Sequence, residues 1–243
     1  TILHQEDEAT VLNLYGSNEY SGNTIIEEVA NVPVFIRLNT NELFLGKYPL
    51  TSIGRSRSEC DIYFETVKTM TSHHADVIIH NNHHFIIDRN SANGTYINGE
   101  RLDKGERAEI QYYAEVNLSR SEPFFIAFDK YAKWIKENMC LICLISLETR
   151  EKLYLFDNET ILGRSFPWAS GAMTSKMIGR QHAIISYVNN QCYLTDQSHN
   201  GSYVNDKKIE SYKAVLLKDG DRICLGKENF VFRYSVLKEG IIV

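Results

Sequence analysis

The sequence has no apolar run long enough to cross a bilayer. Its stretches at 141–145 and 161–162 fall far short of the roughly 20 residues that a spanning helix needs, so no membrane insertion is expected. The amino terminus lacks the basic-then-apolar pattern of a secretory signal, and a chain that starts at Thr1 rather than Met reads as a fragment. Positive charge is not in excess: 26 Lys and Arg face 31 Asp and Glu. The resulting net charge of −5 excludes broad affinity for nucleic acid or anionic lipid, because both need a basic face to displace counterions. Any anion site must therefore be a local pocket. Five cysteines without disulfide-framework spacing point to reduced thiols and a cytoplasmic location. No nucleophile elbow, Gly-Lys phosphate loop or metal-ligand set occurs, so the chain reads as a non-enzyme without metal or cofactor.

What is present is a pattern written twice. Gly54-Arg55, then Thr71-Ser72-His73-His74, then the stretch from Asp88 through Ser91 and Asn93-Gly94 to Thr95 lie on strand-like sequence. Gly163-Arg164, His182 and the stretch from Asp196 through Asn200-Gly201 to Ser202 repeat them roughly 108 residues later, one small-domain length. With 243 residues, 43% of them hydrophobic, the chain has room for two modest cores.

Residues 1–31 are polar, include the acidic stretch Glu6-Asp7-Glu8 and lack sustained periodicity, so they read as a flexible acidic tail. From residue 32 the texture changes to short β-branched and aromatic runs at 34–38, 43–45, 61–64, 75–80, 84–88 and 124–128, which are strands. Asn81-Asn82, Asn98-Gly99, Asn189-Asn190 and Asn205-Asp206 sit between such runs. Two-residue hairpin turns need positive φ, which Asn and Gly tolerate best. Tyr131, Trp134 and Ile135 have helical spacing, which predicts a short amphipathic helix as the connector. The expected organisation is all-β: a first sandwich at 32–129, a helical linker at 130–138 and a second, divergent sandwich at 139–243.

Gly54-Arg55 ends one strand, Thr71 to His74 opens another and Asn93-Gly94 opens a hairpin, so these residues are expected on one rim of loops. Arg55 offers a planar fork of donors, Thr71 and Ser72 offer hydroxyls, and Asn93 offers an amide able to pair with a peptide backbone. Asp88, Ser91 and Gly94 are expected to fix the loop that presents Asn93, since Asp and Ser bond nearby N–H groups and Gly permits unusual φ.

Gly-Arg, a hydroxyl residue three places before His, and Asp-x-x-Ser-x-Asn-Gly in this order make the chain resemble the forkhead-associated (FHA) family, over roughly 32–129 and 139–238. The resemblance implies β-sandwiches that bind phosphothreonine, with phosphothreonine proteins and a Ser/Thr kinase as partners. It implies that Arg55 contacts the phosphate, that Thr71 supplies the hydroxyl where the family has Ser, that Ser72 faces ligand and that Asn93 holds the peptide main chain. Gly54 and His74 would then be structural. In the second copy Arg164 and Asn200 keep their places, with Gly163 and His182 structural, but Gly179 stands where the hydroxyl belongs. Lys176 and Arg180 could still supply charge there, so weak anion binding and a docking role both stay open. The acidic Thr10-Val11 sequence is similar to the phosphorylated tails of bacterial FHA regulators, with Ala9 in place of a paired threonine. Thr10 is thus either a phosphorylation site that occupies the Arg55 pocket in cis or part of a solvated tail.

His73, His74, His80, His83 and His84 crowd together in sequence. Alternation along a strand sends neighbours to opposite faces, so no metal site is expected of them. Cys140 and Cys143 sit in an apolar strand and read as core. The leading functional expectation is a phosphothreonine-dependent adaptor, and the alternative is a phosphate-independent scaffold of a larger assembly.

Overall fold

A computed structural model of the chain describes residues 32–164 and 175–240. These residues divide into two compact units, one formed up to Lys133 and again from Lys238, the other by Trp134–Leu237. In the first unit a seven-stranded sheet faces a five-stranded one, and in the second a six-stranded sheet faces one of four.

The two units share one connectivity. In the first, Val34–Arg37 pairs on one side with Glu42–Leu45 and on the other with Pro123–Ala127, which continues through Tyr113–Leu118 to Thr95–Ile97. In the second, Cys140–Ser146 pairs with Lys152–Leu155 and with Glu228–Val236, which continues through Arg222–Leu225 to Ser202–Val204. The facing sheets run Leu50–Gly54, Ala75–His80, His83–Asp88, Arg107–Ile110 in one copy and Glu159–Leu162, Ala183–Val188, Gln191–Asp196, Ala214–Leu217 in the other. The chain is two antiparallel β-sandwiches in tandem.

Alternation sets the cores. Val77, Ile79 and Ile86 from one sheet meet Phe35, Val116, Leu118, Phe124 and Ile126 from the other. Leu162, Ile185 and Leu194 meet Ile142, Leu144, Ile223, Phe230 and Phe232 in the second unit. Every residue of the four expected turns has positive φ, from 49° at Asn81, Asn98 and Asn205 to 89° at Gly99.

The helix Asp129–Asn138 buries Ala132 and Ile135, one turn apart, and ends where Met139 enters the left-handed region at φ 49°. Among the described residues no helix is long and apolar enough to cross a membrane. One pairing has no sequence signal. Lys238–Glu239, within the range assigned by sequence to the second sandwich, adds as a parallel strand to Glu42–Leu45 of the first unit. Gly240 continues it with an N–H bond to the Leu43 carbonyl at 2.8 Å, and any Cβ there would meet the Phe44 ring at 2.3 Å.

Candidate functional site

At one end of the first sandwich, three loops are stitched into a rim. Leu50–Gly54 delivers Arg55, whose backbone N–H donates to the carbonyls of Thr71 and Ser72, both at 3.0 Å. Gly54 makes this approach possible: a Cβ there would lie 2.2 Å from the Ser72 carbonyl oxygen and 2.8 Å from the Cys60 sulfur. Arg55 is half-buried, and its guanidinium has no carboxylate partner among the described residues. Thr71 Oγ1 accepts the Ala92 N–H at 3.0 Å, so its own hydroxyl hydrogen is left to donate elsewhere. Ser72 sits beside it, half-buried.

The loop that carries Asn93 is built around Asp88. This carboxylate, 1% exposed, accepts from the Ser91 N–H at 2.9 Å, the Ser91 hydroxyl at 2.6 Å and the Thr95 hydroxyl at 2.8 Å. Ser91 in turn accepts the Gly94 N–H at 3.0 Å, and Gly94 adopts φ 83°. Asn93 stands exposed at the apex, donating one amide hydrogen to the Thr69 carbonyl at 2.7 Å. Its side-chain amide oxygen has no partner among the described residues, leaving it able to pair with an extended peptide backbone.

His74 locks the loops together from behind. It is fully buried; its Nδ1 accepts the Thr71 N–H at 3.2 Å and its Nε2 faces the Gly94 carbonyl at 3.3 Å. Because the Thr71 backbone N–H can only donate, the proton must sit on Nε2, which donates to the Gly94 carbonyl.

The second unit repeats this scaffold nearly atom for atom. Arg164 N–H donates to the Gly179 carbonyl at 2.9 Å, and His182 joins the Gly179 N–H at 3.0 Å to the Gly201 carbonyl at 3.3 Å. Asp196 accepts from the hydroxyls of Ser198, Ser202 and Ser211, and Asn200 donates to the Met177 carbonyl at 2.7 Å. A Cβ on Gly163 would lie 2.3 Å from the Arg180 carbonyl oxygen, so the same close approach needs glycine again. Gly179 removes the hydroxyl that Thr71 supplies, and exposed Arg180 takes the place of Ser72. Thr10 and residues 165–174 lie outside the described residues.

The sequence profile of the FHA domain matches residues 51–119 and 160–226, more than half of the chain and one match per sandwich. The chain belongs to the FHA domain family. It is a tandem FHA protein. The comparison with curated proteins found no match. Solved structures similar to it include EmbR of Mycobacterium tuberculosis in complex with a low-affinity phosphopeptide, 27% identical, covering 41% of this chain and 26% of that one at a TM-score of 0.35. The yeast Dun1 FHA domain in complex with a doubly phosphorylated peptide is 28% identical, covering 43% and 81% at 0.34. The FHA domain of CT664 from Chlamydia trachomatis is 20% identical, covering 40% and 96% at 0.36.

In both FHA domains, burial holds the locking histidine below its ordinary value of 6.5, only partly offset by the Gly94 or Gly201 carbonyl and by Asp88 or Asp196. The sign follows from the folded state refusing a proton that the unfolded chain accepts. The stability from neutral His74 and His182 is complete above pH 6.5 and is lost as pH falls below it. Urea unfolding of the whole protein at pH 7.5 and pH 5.5 should therefore show lower midpoints at pH 5.5, and equal midpoints would contradict the neutral-histidine geometry.

The other histidines have separate partners. His73 meets Asp76 at 2.5 Å, His83 meets Glu109 at 2.6 Å, and His84 stacks on Phe128 at 3.9 Å. Burial pushes the Cys60 and Cys192 thiols up to about 12, and raises Cys140 and Cys224 as well, so all four are held protonated; Cys140 and Cys192 lie in the core, while Cys60 and Cys224 are half-buried.

Proposed function

We propose that this protein is a phosphothreonine-dependent adaptor, read mainly through its first FHA domain, in Ser/Thr kinase signalling. One observation carries the reading. The backbone of Arg55 is tied to Thr71 and Ser72, Thr71 Oγ1 holds the N–H of Ala92 next to Asn93, and the Arg55 guanidinium, the Thr71 hydroxyl hydrogen and the Asn93 side-chain oxygen have no partner among the described residues, which supports reading them as one phosphopeptide site. A phosphate monoester near neutral pH carries about −1.5 to −2 charges and three acceptor oxygens, so it suits one forked cation supported by hydroxyl donors. The solved EmbR and Dun1 complexes with phosphopeptides support the same direction.

The second domain keeps Arg164 and Asn200 but has no hydroxyl at Gly179, and we assign it weaker phosphopeptide binding or a docking role. Phosphorylated Thr10 would compete for the Arg55 rim in cis. About 20 residues separate it from the first sandwich, spanning roughly 25 Å as a random coil and giving an effective concentration near millimolar. Should a Thr10-phosphorylated chain bind an external phosphopeptide as tightly as the unmodified chain, no such switch operates.

A degenerate phosphothreonine peptide library, screened against the full chain and against full chains carrying Arg55→Ala or Arg164→Ala, tests the reading and apportions it between the domains. Peptide capture should vanish on phosphatase treatment. Capture that survives phosphatase would favour the phosphate-independent scaffold.

A further inference from the structure

The four-stranded sheet of the second domain turns a bare apolar face away from its core. Leu162, Ile185, Leu194 and Leu217 point into the sandwich, so alternation sends Ile161, Ile184, Val188, Tyr193, Ala214 and Leu216 outward. The register sets Ile161 beside Ile184 in one row and Tyr193 beside Leu216 in the next. Ile161 is 43% exposed, Leu216 40% and Val188 51%.

The first domain, on the same scaffold, roofs this face with polar side chains. Aligning Gly54 with Gly163, His74 with His182 and Asp88 with Asp196 puts Ser52 where Ile161 stands and Asp76 where Ile184 does. It also puts Arg107 and Glu109 in the places of Ala214 and Leu216. Asp76 is fully buried, held by His73 at 2.5 Å and Arg89 at 2.6 Å, and Arg107 lies over the Phe85 ring at 4.9 Å. Beneath this roof Ile78 and Ile87 are only 7% and 8% exposed. The shared fold therefore does not require the bare face of the second domain.

Charge and area name the occupant. Of the outward side chains on these strands only Glu159, on an edge strand, is charged, and the Tyr193 hydroxyl already donates to Gln191 at 2.6 Å. Such a face offers a charged partner little to recognise, but it matches itself: a second copy brings the same neutral, apolar surface. Sheets pack face to face about 10 Å apart through side chains of this kind. About ten side chains face outward here, against the roughly 20–30 residues per partner of a standard stable interface, so two copies would pair at the weak, transient end of the range.

We propose that the outer face of this sheet pairs with the same face of a second copy of the chain, giving a weak homodimer with twofold symmetry. The proposal goes beyond the phosphothreonine reading and uses no residue of either rim. Each chain carries a net charge of −5, so two copies repel at long range while their apolar faces attract. Added salt screens the repulsion and tightens the pair, whereas a contact steered by opposite charges would loosen.

The test is sedimentation velocity of the full chain over a concentration series, at low and at moderate sodium chloride. The weight-average mass should climb from monomer toward dimer with a dissociation constant on the order of 10–100 μM, and more steeply in the higher salt. Leu216→Glu and Ala214→Arg give the second domain the side chains that the first carries at these places. Each should weaken pairing at least tenfold, because it buries a charge between the apposed faces, and each should leave the melting transition in place. Ala214→Arg also lowers the net negative charge, so its effect cannot be long-range repulsion. The two variants are independent, and misfolding of one, seen as a lost transition, leaves the other to decide. Leu45→Glu, at an exposed apolar position of the first domain, should change nothing. A chain that stays monomeric even near millimolar concentration overturns the proposal and leaves the face to a different partner. A dimer that salt dissolves, that survives the folded face variants, or that is lost equally in Leu45→Glu overturns it as well.

Discussion

Arg55→Ala is expected to weaken phosphothreonine-peptide binding by the first domain about a hundredfold or more, without unfolding it. The two halves of this expectation come from different atoms of one residue. The backbone N–H of Arg55 bonds the Thr71 and Ser72 carbonyls, the Ser56 N–H adds a further bond to Ser72, and alanine keeps the Arg55 N–H. The guanidinium, by contrast, makes no hydrogen bond or ion pair among the described residues. Its loss removes the one forked cation facing a doubly charged phosphate, and hydrogen bonds to charged groups are worth about 1.5–3 kcal/mol each. Calorimetric titration together with thermal unfolding checks both halves. Arg55→Lys should fall between, since it keeps charge and loses the planar fork.

The second large effect falls on stability. Asp88→Ala should destabilise the first domain by about 2–4 kcal/mol, because it strips the acceptor from the Ser91 N–H and from two buried hydroxyls at once. For a domain of this size that corresponds to a melting transition lowered by roughly 10–20 °C. Asp88→Asn should cost less, since the amide oxygen can still accept from the Ser91 N–H while its NH2 turns toward hydroxyls able to accept. Differential scanning calorimetry of the full chain distinguishes these outcomes. An unchanged transition in Asp88→Ala would mean that the Asn93 loop does not depend on this carboxylate.

Much of this architecture was legible in the residues, for local reasons. Asn and Gly at hairpin apices report positive φ directly, and every such turn has it. The spacing of Asp88, Ser91 and Gly94 lets a self-bonded loop be anticipated from the sequence, and the structure adds the Thr95 hydroxyl to the Asp88 carboxylate. Gly54 and Gly163 mark close backbone approaches for the same reason.

What escaped the sequence depends on contacts across the sandwich. Thr69 holds Asn93 through its backbone carbonyl, and a carbonyl has no residue identity to read. Ser119 lies 50 positions from the Thr69 hydroxyl it bonds, and only the register of Tyr113–Leu118 against Thr95–Ile97 brings them together. The strand Lys238–Glu239 is short, charged and without alternation; its place is set by the open edge of Glu42–Leu45 and not by its own pattern.

The most direct measurement is residue-resolved NMR of the full chain during titration with a phosphothreonine peptide and with its unphosphorylated twin. Saturable shifts should appear at the Arg55 side chain, at Thr71 and Ser72, and at the Asn93 amide, with the phosphorylated peptide only. Shifts confined to other surfaces, or identical shifts with both peptides, would contradict a phosphate seated at the Arg55 rim.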